Sequence, residues 1–249
     1  MIYKQYDYSV PEKDMQKKWN RHWEGRSGWD PDHTKNALWH TIEDIIARPG
    51  LTLEAGCGSG KWVYYFNKLG HHAIGVDYAW TALNVAKTTD PTLQVSRVNC
   101  CEMPFSSDLF DYVFANGTIE HDIAGPDCML KEFYRVLKPG GWLMSSVPCL
   151  NTERLIMYWW LVTRDWLKRR KTLRRIAGKT DPYLFYQYVF TPNTYRKFLQ
   201  AIGFTVKCLR PYGEESGLPL IELLRPMLRD RFPFYSSHMV MGICQKPEK

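Results

Sequence analysis

The feature that most constrains the fold is a regular alternation of short apolar runs and helical patterns between residues 51 and 147. The apolar runs have the length of buried strands, whereas the stretches between them repeat their apolar positions at a helical period. Strands that alternate with helices favour a parallel sheet covered by helices on both faces. The predicted strands are residues 51–55, 72–77, 92–98, 110–115 and 142–147, and the predicted helices are residues 62–69, 79–87 and 125–137.

Outside this core the alternation breaks. The length of 249 residues nevertheless corresponds to one domain, and an apolar fraction of 45% excludes a disordered chain. A regular pattern returns with a helix over 192–201 and strands over 204–209 and 238–246. We therefore predict a single domain over 1–249 that carries a helical N-terminal cap over 1–48, with a helix over 33–48, and insertions at 149–190 and 211–237.

The seven cysteines are scattered and none shows the CxxC spacing of zinc or thioredoxin-type sites. We expect Cys57, Cys100 and Cys101 to be small loop residues rather than nucleophiles. The first residues lack the apolar core of a signal peptide, and no apolar run is long enough to cross a bilayer. These observations predict a cytoplasmic location.

The net charge of +7 belongs to one segment, because residues 164–179 hold eight cations and one anion while the remainder of the chain is neutral. Apolar and aromatic residues precede these cations, starting at Leu155. Two interpretations stay open for residues 155–179. They form either a peripheral helix that docks on an anionic membrane, or a lid over the active site whose cations are solvated.

A glycine-rich loop from Glu54 to Gly60 follows the first predicted strand and precedes a helix. Glycines at such a turn let the backbone approach a ligand closely. A dinucleotide-binding loop would need a third glycine where Lys61 stands, and a phosphate-binding loop would need Ser or Thr where Trp62 stands. Neither phosphate-binding motif therefore fits.

The pattern ExGxGxG instead resembles the class I S-adenosylmethionine-dependent methyltransferases, in particular the group called methyltransferase type 11. Further segments that resemble this family are GVDYA, VNCCEMPF, FDYVFANGTIEH and EFYRVLKPGGWLMSSVP, so the resemblance covers residues 50–148 and 190–210. It implies a Rossmann-like α/β fold, in which helices cover both faces of a seven-stranded, mostly parallel sheet with an inserted helical and aromatic cap. One strand, residues 238–246, would run antiparallel near the edge. The implied cofactor is S-adenosyl-L-methionine, and no metal is required.

The resemblance also implies a set of cofactor-binding residues. The loop cradles the methionine end, Asp77 accepts hydrogen bonds from both ribose hydroxyls, and Tyr78 lies against the adenine. Asn99 stands where the family usually has Asp and faces the adenine amino group, beside the backbone N–H of Cys100 and the side chain of Met103. Asp77 also has a simpler interpretation as a cap of the following helix. The full set is Glu54, Gly56, Cys57, Gly58, Gly60, Asp77, Tyr78, Asn99, Cys100, Met103, Asn116 and Gly117.

His121 is the candidate catalytic residue, because an imidazole can accept a proton at neutral pH. The alternative is a structural hydrogen bond beneath the substrate cap. We expect the acceptor pocket to lie between the N-terminal aromatic residues, the end of the fourth strand and the 149–190 insertion. These boundaries comprise Tyr3, Tyr6, Tyr8, Trp19, Trp23 and residues 116–121.

An aromatic pocket favours methyl transfer to a hydroxyl group of a small aromatic, lipid or sugar-type molecule. Three alternatives stay open. An RNA or protein methyltransferase would use the basic segment 164–179, but the neutral remainder of the chain makes nucleic acid the weaker candidate. The others are a non-catalytic binding protein on the same fold, and a decarboxylase or cyclase. Nothing in the sequence indicates an oligomeric state.

Overall fold

The computed structural model describes residues 2–7, 15–26, 28–151, 154, 184–213, 234 and 237–248. These residues contain nine strands and five α-helices. The strands are β1 (Ile2–Asp7), β2 (Leu51–Ala55), β3 (His72–Asp77), β4 (Gln94–Arg97), β5 (Phe110–Asn116), β6 (Leu137–Pro148), β7 (Leu184–Phe190), β8 (Thr205–Tyr212) and β9 (Met239–Gln245). The helices are α1 (Met15–Trp23), α2 (Lys61–Lys68), α3 (Trp80–Thr89), α4 (Asp127–Val136) and α5 (Pro192–Ile202).

Seven strands form one sheet in the order β4-β3-β2-β5-β6-β9-β8. Strands β2, β3, β4, β5 and β6 pair in parallel, while β9 runs antiparallel to both β6 and β8. The predicted seven-stranded, mostly parallel sheet is confirmed, and so is the antiparallel direction of the last strand. That strand lies one position inside the edge, because β8 pairs along its outer side.

The sheet is covered on both faces, which explains why its central strands are almost continuously apolar. One face packs against α4 and α5 and the other against α2 and α3. Buried side chains of the first face include Leu53, Val113, Leu130, Phe133 and Tyr195, and those of the second include Trp62, Phe66, Leu83, Ala86 and Phe114.

The predicted helix over 33–48 is wrong. The chain instead makes two short 3-10 turns, His33–Lys35 and Trp39–Thr41. Between them Asn36 is extended, and its side-chain oxygen accepts a hydrogen bond from the backbone N–H of Leu38 at 3.0 Å. This local bond competes with a helical one. The apolar side chains of Leu38, Ile42 and Ile46 are nevertheless buried, so the apolar pattern marks core positions correctly.

The N-terminal segment departs from the predicted helical cap over 1–48, and the last residues of the predicted 149–190 insertion form a strand. Residues Ile2–Asp7 form a strand, because their backbone groups pair with Leu184–Phe190 in an antiparallel two-stranded sheet. The strand Leu184–Phe190 therefore lies at the end of the predicted insertion. The division of residues 1–249 into one domain with a cap and two insertions otherwise stays a prediction.

Residues 155–179, for which a membrane helix and a lid are the two interpretations, lie outside the described residues. So does most of the 211–237 insertion. Among the helices that the structure describes, none has the length and apolar character needed to cross a membrane.

Candidate functional site

A cavity of about 540 Å³ lies where β2, β3 and β5 end. In an open α/β sheet the carboxyl ends of the strands are where ligands bind. Nine of the thirteen candidate residues line this cavity: Gly56, Gly58, Asp77, Tyr78, Asn99, Cys100, Asn116, Gly117 and His121. The lining also includes Trp19, His22, Trp23, Cys101, Thr118, Asp122, Ile123 and Met129.

The glycine loop needs glycine at two positions that line the cavity. Gly56 and Gly58 have φ values of 74° and 52°, in the left-handed region that side chains disfavour. A Cβ atom at Gly56 would lie 2.3 Å from the hydroxyl oxygen of Thr118, and one at Gly58 would lie 2.5 Å from the indole of Trp23. The turn after β5 therefore packs against the loop at Gly56, and α1 packs against it at Gly58.

Glu54 lies beneath the loop rather than on the cavity. Its Oε2 accepts a hydrogen bond from the backbone N–H of Val63 at 2.8 Å, and burial raises the pKa of the carboxyl well above its usual value. This bond satisfies one of the free N–H groups in the first turn of α2. Glu54 thus fixes the junction between the loop and α2.

Cys57 and Gly60 also lie away from the cavity lining. The Sγ of Cys57 packs against Gly75, because a Cβ atom at Gly75 would lie 2.9 Å from this sulfur. Burial raises the pKa of this thiol, which agrees with the expectation of a small loop residue. A Cβ at Gly60 would lie 2.9 Å from Leu93, directly before β4, and 3.2 Å from Ala86 of α3, so this glycine packs against these two residues.

Asp77 caps the following turn and lines the cavity at the same time, so its two interpretations are compatible. Its Oδ1 accepts from the N–H of Ala79 and its Oδ2 from the N–H of Gly58, both at 2.8 Å. Burial raises the pKa of this carboxyl, and the two backbone N–H groups oppose that rise. A carboxylate offers about four acceptor positions, so lone pairs are left for a ligand in the cavity.

Tyr78 and Asn99 lie at the outer rim of the cavity. Tyr78 is 47% exposed, and the guanidinium of Arg97 lies 5.2 Å from its ring centre. Asn99 is exposed, and its Oδ1 accepts a hydrogen bond from the N–H of Cys101 at 3.0 Å. The amide oxygen expected to face an adenine therefore already stabilises its own turn, with one further lone pair left.

Cys100 and Met103 are both buried behind this rim. Burial raises the pKa of Cys100 to about 12, so its thiol stays protonated and is a poor nucleophile. Met103 does not line the cavity. Its backbone N–H donates to Glu132 Oε2 at 2.8 Å, which anchors the loop to α4.

Asn116 and Gly117 line the cavity where β5 ends. The Oδ1 of Asn116 accepts hydrogen bonds from the hydroxyls of Ser146 at 2.7 Å and Tyr212 at 2.9 Å. These bonds link β5 to β6 and β8 and fix the direction of the chain as it enters the turn to His121.

One wall of the cavity is aromatic. The rings of His121 and Trp19 meet edge to face with centres 4.6 Å apart, and Trp23 lies beside them. Helix α1 is attached to α3 because Asn20 Oδ1 accepts a hydrogen bond from the N–H of Thr81 at 3.3 Å. Among the expected pocket aromatics, the side chains of Tyr3 and Tyr6 and all of Tyr8 lie outside the described residues.

Glu120 is a candidate residue that our sequence analysis missed. It is only 1% exposed, and its Oε1 lies 3.9 Å from Nε2 of His121. Its Oε2 has no hydrogen-bond partner among the described residues, and burial raises the pKa of the carboxyl to about 8. The available signal was a carboxylate directly before the candidate histidine.

Cys101 is also placed differently from our expectation, since it forms a disulfide with Cys128. The two residues are 27 positions apart in the sequence, so the spacing gave no sign of this pairing. The turn after Asn99 and the start of α4 bring them together.

The chain matches the methyltransferase domain family over residues 53–145. Demethylmenaquinone methyltransferase of Bacillus cereus is 33% identical over 220 residues, which are 84% of this chain and 83% of that protein. The enzyme of the same name from Oceanobacillus iheyensis is 34% identical over 126 residues, 46% of this chain, and the match spans only half of that relative's length.

The fold also resembles that of solved methyltransferase structures. The crystal structure of an S-adenosylmethionine-dependent methyltransferase from Methanosarcina mazei superposes with a TM-score of 0.63 at 20% identity, covering 86% of this chain and all of the other. The cavity at the strand ends, the sequence relatives and the sheet order lead to one conclusion: the chain is an enzyme that belongs to the class I S-adenosylmethionine-dependent methyltransferases.

Proposed function

We propose that the chain transfers a methyl group from S-adenosylmethionine to a small hydroxylated aromatic acceptor of the quinol type. The observation that carries this proposal is that one cavity contains both a polar wall suited to the cofactor and an aromatic wall suited to a ring. Its volume of about 540 Å³ is within the range of small-molecule sites.

The polar wall fits the cofactor by the chemistry of its donors and acceptors. Asp77 offers carboxylate lone pairs for a vicinal diol, and Gly56 and Gly58 expose backbone close to the cavity. Tyr78 and Asn99 at the rim would face the adenine. When bound, the cofactor supplies a methyl group on a positively charged sulfur. The protein's tasks are then to align the acceptor and to exclude water.

The aromatic wall supports a ring-bearing acceptor. Trp19 and Trp23 present indole rings to the cavity, and Ile123 adds an apolar side chain. Flat rings pack well against such surfaces. The relatives from Bacillus and Oceanobacillus are named for a demethylated quinone, which is a molecule of this class.

His121 is suited to take the proton from an acceptor hydroxyl, since its imidazole lines the cavity beside Trp19. Removal of that proton spreads negative charge over the oxygen and over the ring carbons next to it. The same base therefore serves methylation at oxygen or at carbon. Glu120 Oε1 lies 3.9 Å from Nε2 of His121. A positive charge on the imidazole would favour the ionised form of this buried carboxyl, which would then stabilise that charge.

The proposal is tested by incubating the enzyme under nitrogen with methyl-labelled S-adenosylmethionine and a dihydroxynaphthalene, which is made by chemical reduction of the corresponding naphthoquinone. We expect label in the naphthalene product, and nuclear magnetic resonance then identifies the methylated atom. Parallel incubations with total RNA and with unfolded protein test the alternative acceptors. Label in either of these, with none in the naphthalene, would contradict the proposal.

A variant of the aromatic wall sharpens the test. We expect Trp19→Ala to raise the KM for the ring acceptor about tenfold, because an edge-to-face contact and apolar area are lost. The Kd for S-adenosylmethionine should not change. Trp29→Ala is the matched control, since Trp29 packs on Tyr64 and lies outside the cavity lining.

A further inference from the structure

We propose that the Cys101–Cys128 disulfide is a reversible redox tether that controls how firmly the cofactor side of the cavity is held. The bond joins the turn after Asn99 to the first turn of α4. Cys101 itself lines the main cavity, two residues after Asn99. Closing this bond restricts the rim on which the adenine would lie.

Asp122 gives the two redox states different hydrogen bonding. Its Oδ2 lies 3.0 Å from the Sγ of Cys128 and 3.4 Å from the Sγ of Cys101. In the reduced state each thiol can donate a hydrogen bond to this carboxylate, whereas the disulfide has no hydrogen to donate. Oxidation therefore removes two donors from Asp122, which directly follows His121 and lines the same cavity.

The sulfur atoms are accessible to a small thiol. Cys101 and Cys128 are half-buried and line a second cavity of about 460 Å³, which also contains the side chains of Lys131 and Glu132. The thiolate of a small thiol such as glutathione attacks one sulfur and forms a mixed disulfide, releasing the other cysteine as a thiol. A second small thiol then attacks the sulfur of the bound small thiol, and the second protein cysteine leaves as a thiol. The protein gains two electrons and two protons, and the small thiols leave as their disulfide.

Reduction should loosen this rim without unfolding the loop that carries it. Arg135 donates hydrogen bonds to the backbone carbonyls of Phe105 at 2.7 Å and Met103 at 3.0 Å. Glu132 accepts from the N–H of Met103 and pairs with Arg135 at 2.7 Å. These contacts hold the far end of the loop on α4 in either redox state, so the effect of the disulfide is confined to residues 99–101.

The other cysteines do not compete for this role. Cys57, Cys100, Cys149 and Cys244 are buried, and burial raises the pKa of each thiol, which suppresses the reactive thiolate. Cys208 is half-buried on β8, outside the lining of both cavities, and serves as the matched control.

The experiment treats the full chain with oxidised glutathione or with dithiothreitol, then alkylates it in denaturant and maps its peptides. We expect the oxidised sample to contain a peptide linked between 101 and 128 and five alkylated cysteines, with both remaining cysteines alkylated after reduction. Oxidation should raise Tm by several degrees and tighten S-adenosylmethionine binding about three- to tenfold.

The paired variant Cys101→Ser with Cys128→Ser should behave like the reduced protein under both treatments, while Cys208→Ser should respond like the wild type. If the variant fails to fold, the wild type compared in its two states still decides. Absence of the linked peptide after oxidation would overturn the proposal, and so would a linked protein whose Tm and cofactor affinity equal those of the reduced one. The peptide map and Tm do not depend on cofactor binding, so they test the tether even if the proposed function fails.

Discussion

The two walls of the cavity are built in different ways. The polar wall comes from residues at the ends of adjacent parallel strands, such as Gly56 after β2 and Asp77 at the end of β3. The aromatic wall joins Trp19 from the N-terminal helix to His121 from a turn about a hundred residues later. The sheet fixes the first wall, whereas the second depends on how α1 docks. A fold of this kind can therefore change its acceptor while keeping its cofactor side.

The largest effect that we expect separates these walls by function. His121→Ala should lower the turnover number about 10²–10⁴-fold, because the acceptor proton loses its base. It should leave the Kd for S-adenosylmethionine unchanged. Initial rates with labelled cofactor and a saturating ring acceptor measure this loss. His72→Ala, an exposed histidine at the opposite end of β3, is the matched control. Wild-type turnover in His121→Ala would return this residue to a structural role.

The next effect concerns the buried carboxyl behind the aromatic wall. Since the pKa of Glu120 is raised to about 8 in the folded protein, folding favours its protonated form. Below about pH 4.5 this group imposes no penalty, and the free energy of unfolding should fall as pH rises from there to about 8. Glutamine cannot ionise, so Glu120→Gln should be more stable than wild type at pH 9 by on the order of a few kcal/mol.

Urea unfolding of both proteins at pH 5, 7 and 9 measures this difference. The neighbouring residues His121 and Arg154 are unchanged between the two proteins, so the comparison isolates Glu120. Glu132→Gln should have the opposite effect, because its hydrogen bond to Arg135 lowers the pKa of Glu132 and stabilises its ionised form. A wild type and Glu120→Gln with the same pH dependence would show that Glu120 is not held protonated.

The smallest effect lies on the rim of the polar wall. Asn99→Asp should leave cofactor affinity unchanged or tighten it up to about threefold, since a carboxylate accepts hydrogen bonds more strongly than an amide. The carboxylate can also keep the bond from the N–H of Cys101. Equilibrium dialysis with labelled cofactor measures the affinity. A tenfold loss would mean that Asn99 does not face the adenine.

The parts of the molecule that the sequence predicts well depend on local patterns. Residues 51–55 and 72–77 are strands with the predicted bounds, because apolar runs of that length between turn signals are buried strands. The cavity position of Asp77 follows from its place at the end of such a strand. Both predictions use only neighbours in the chain and the geometry of a parallel sheet.

The parts that it misses depend on pairings across long distances or on single side chains. The strand Ile2–Asp7 exists because it pairs with Leu184–Phe190. The side chain of Asn36 interrupts a helix that the apolar spacing would allow. The burial of Glu120 and the bond between Cys101 and Cys128 likewise depend on contacts that only the folded chain makes.

The central claim is that the polar wall holds S-adenosylmethionine through Asp77, and calorimetric titration of the cofactor tests it most directly. The wild type should bind, and Asp77→Ala should lose about 1.5–3 kcal/mol of affinity, roughly 10- to 150-fold, because the ribose bonds are lost and the N–H groups of Gly58 and Ala79 lose their acceptor. Asp90→Ala is the matched control, since Asp90 accepts the same kind of turn hydrogen bond from Thr92 away from the cavity. Equal affinities for wild type and Asp77→Ala, or no binding to the wild type, would contradict the account.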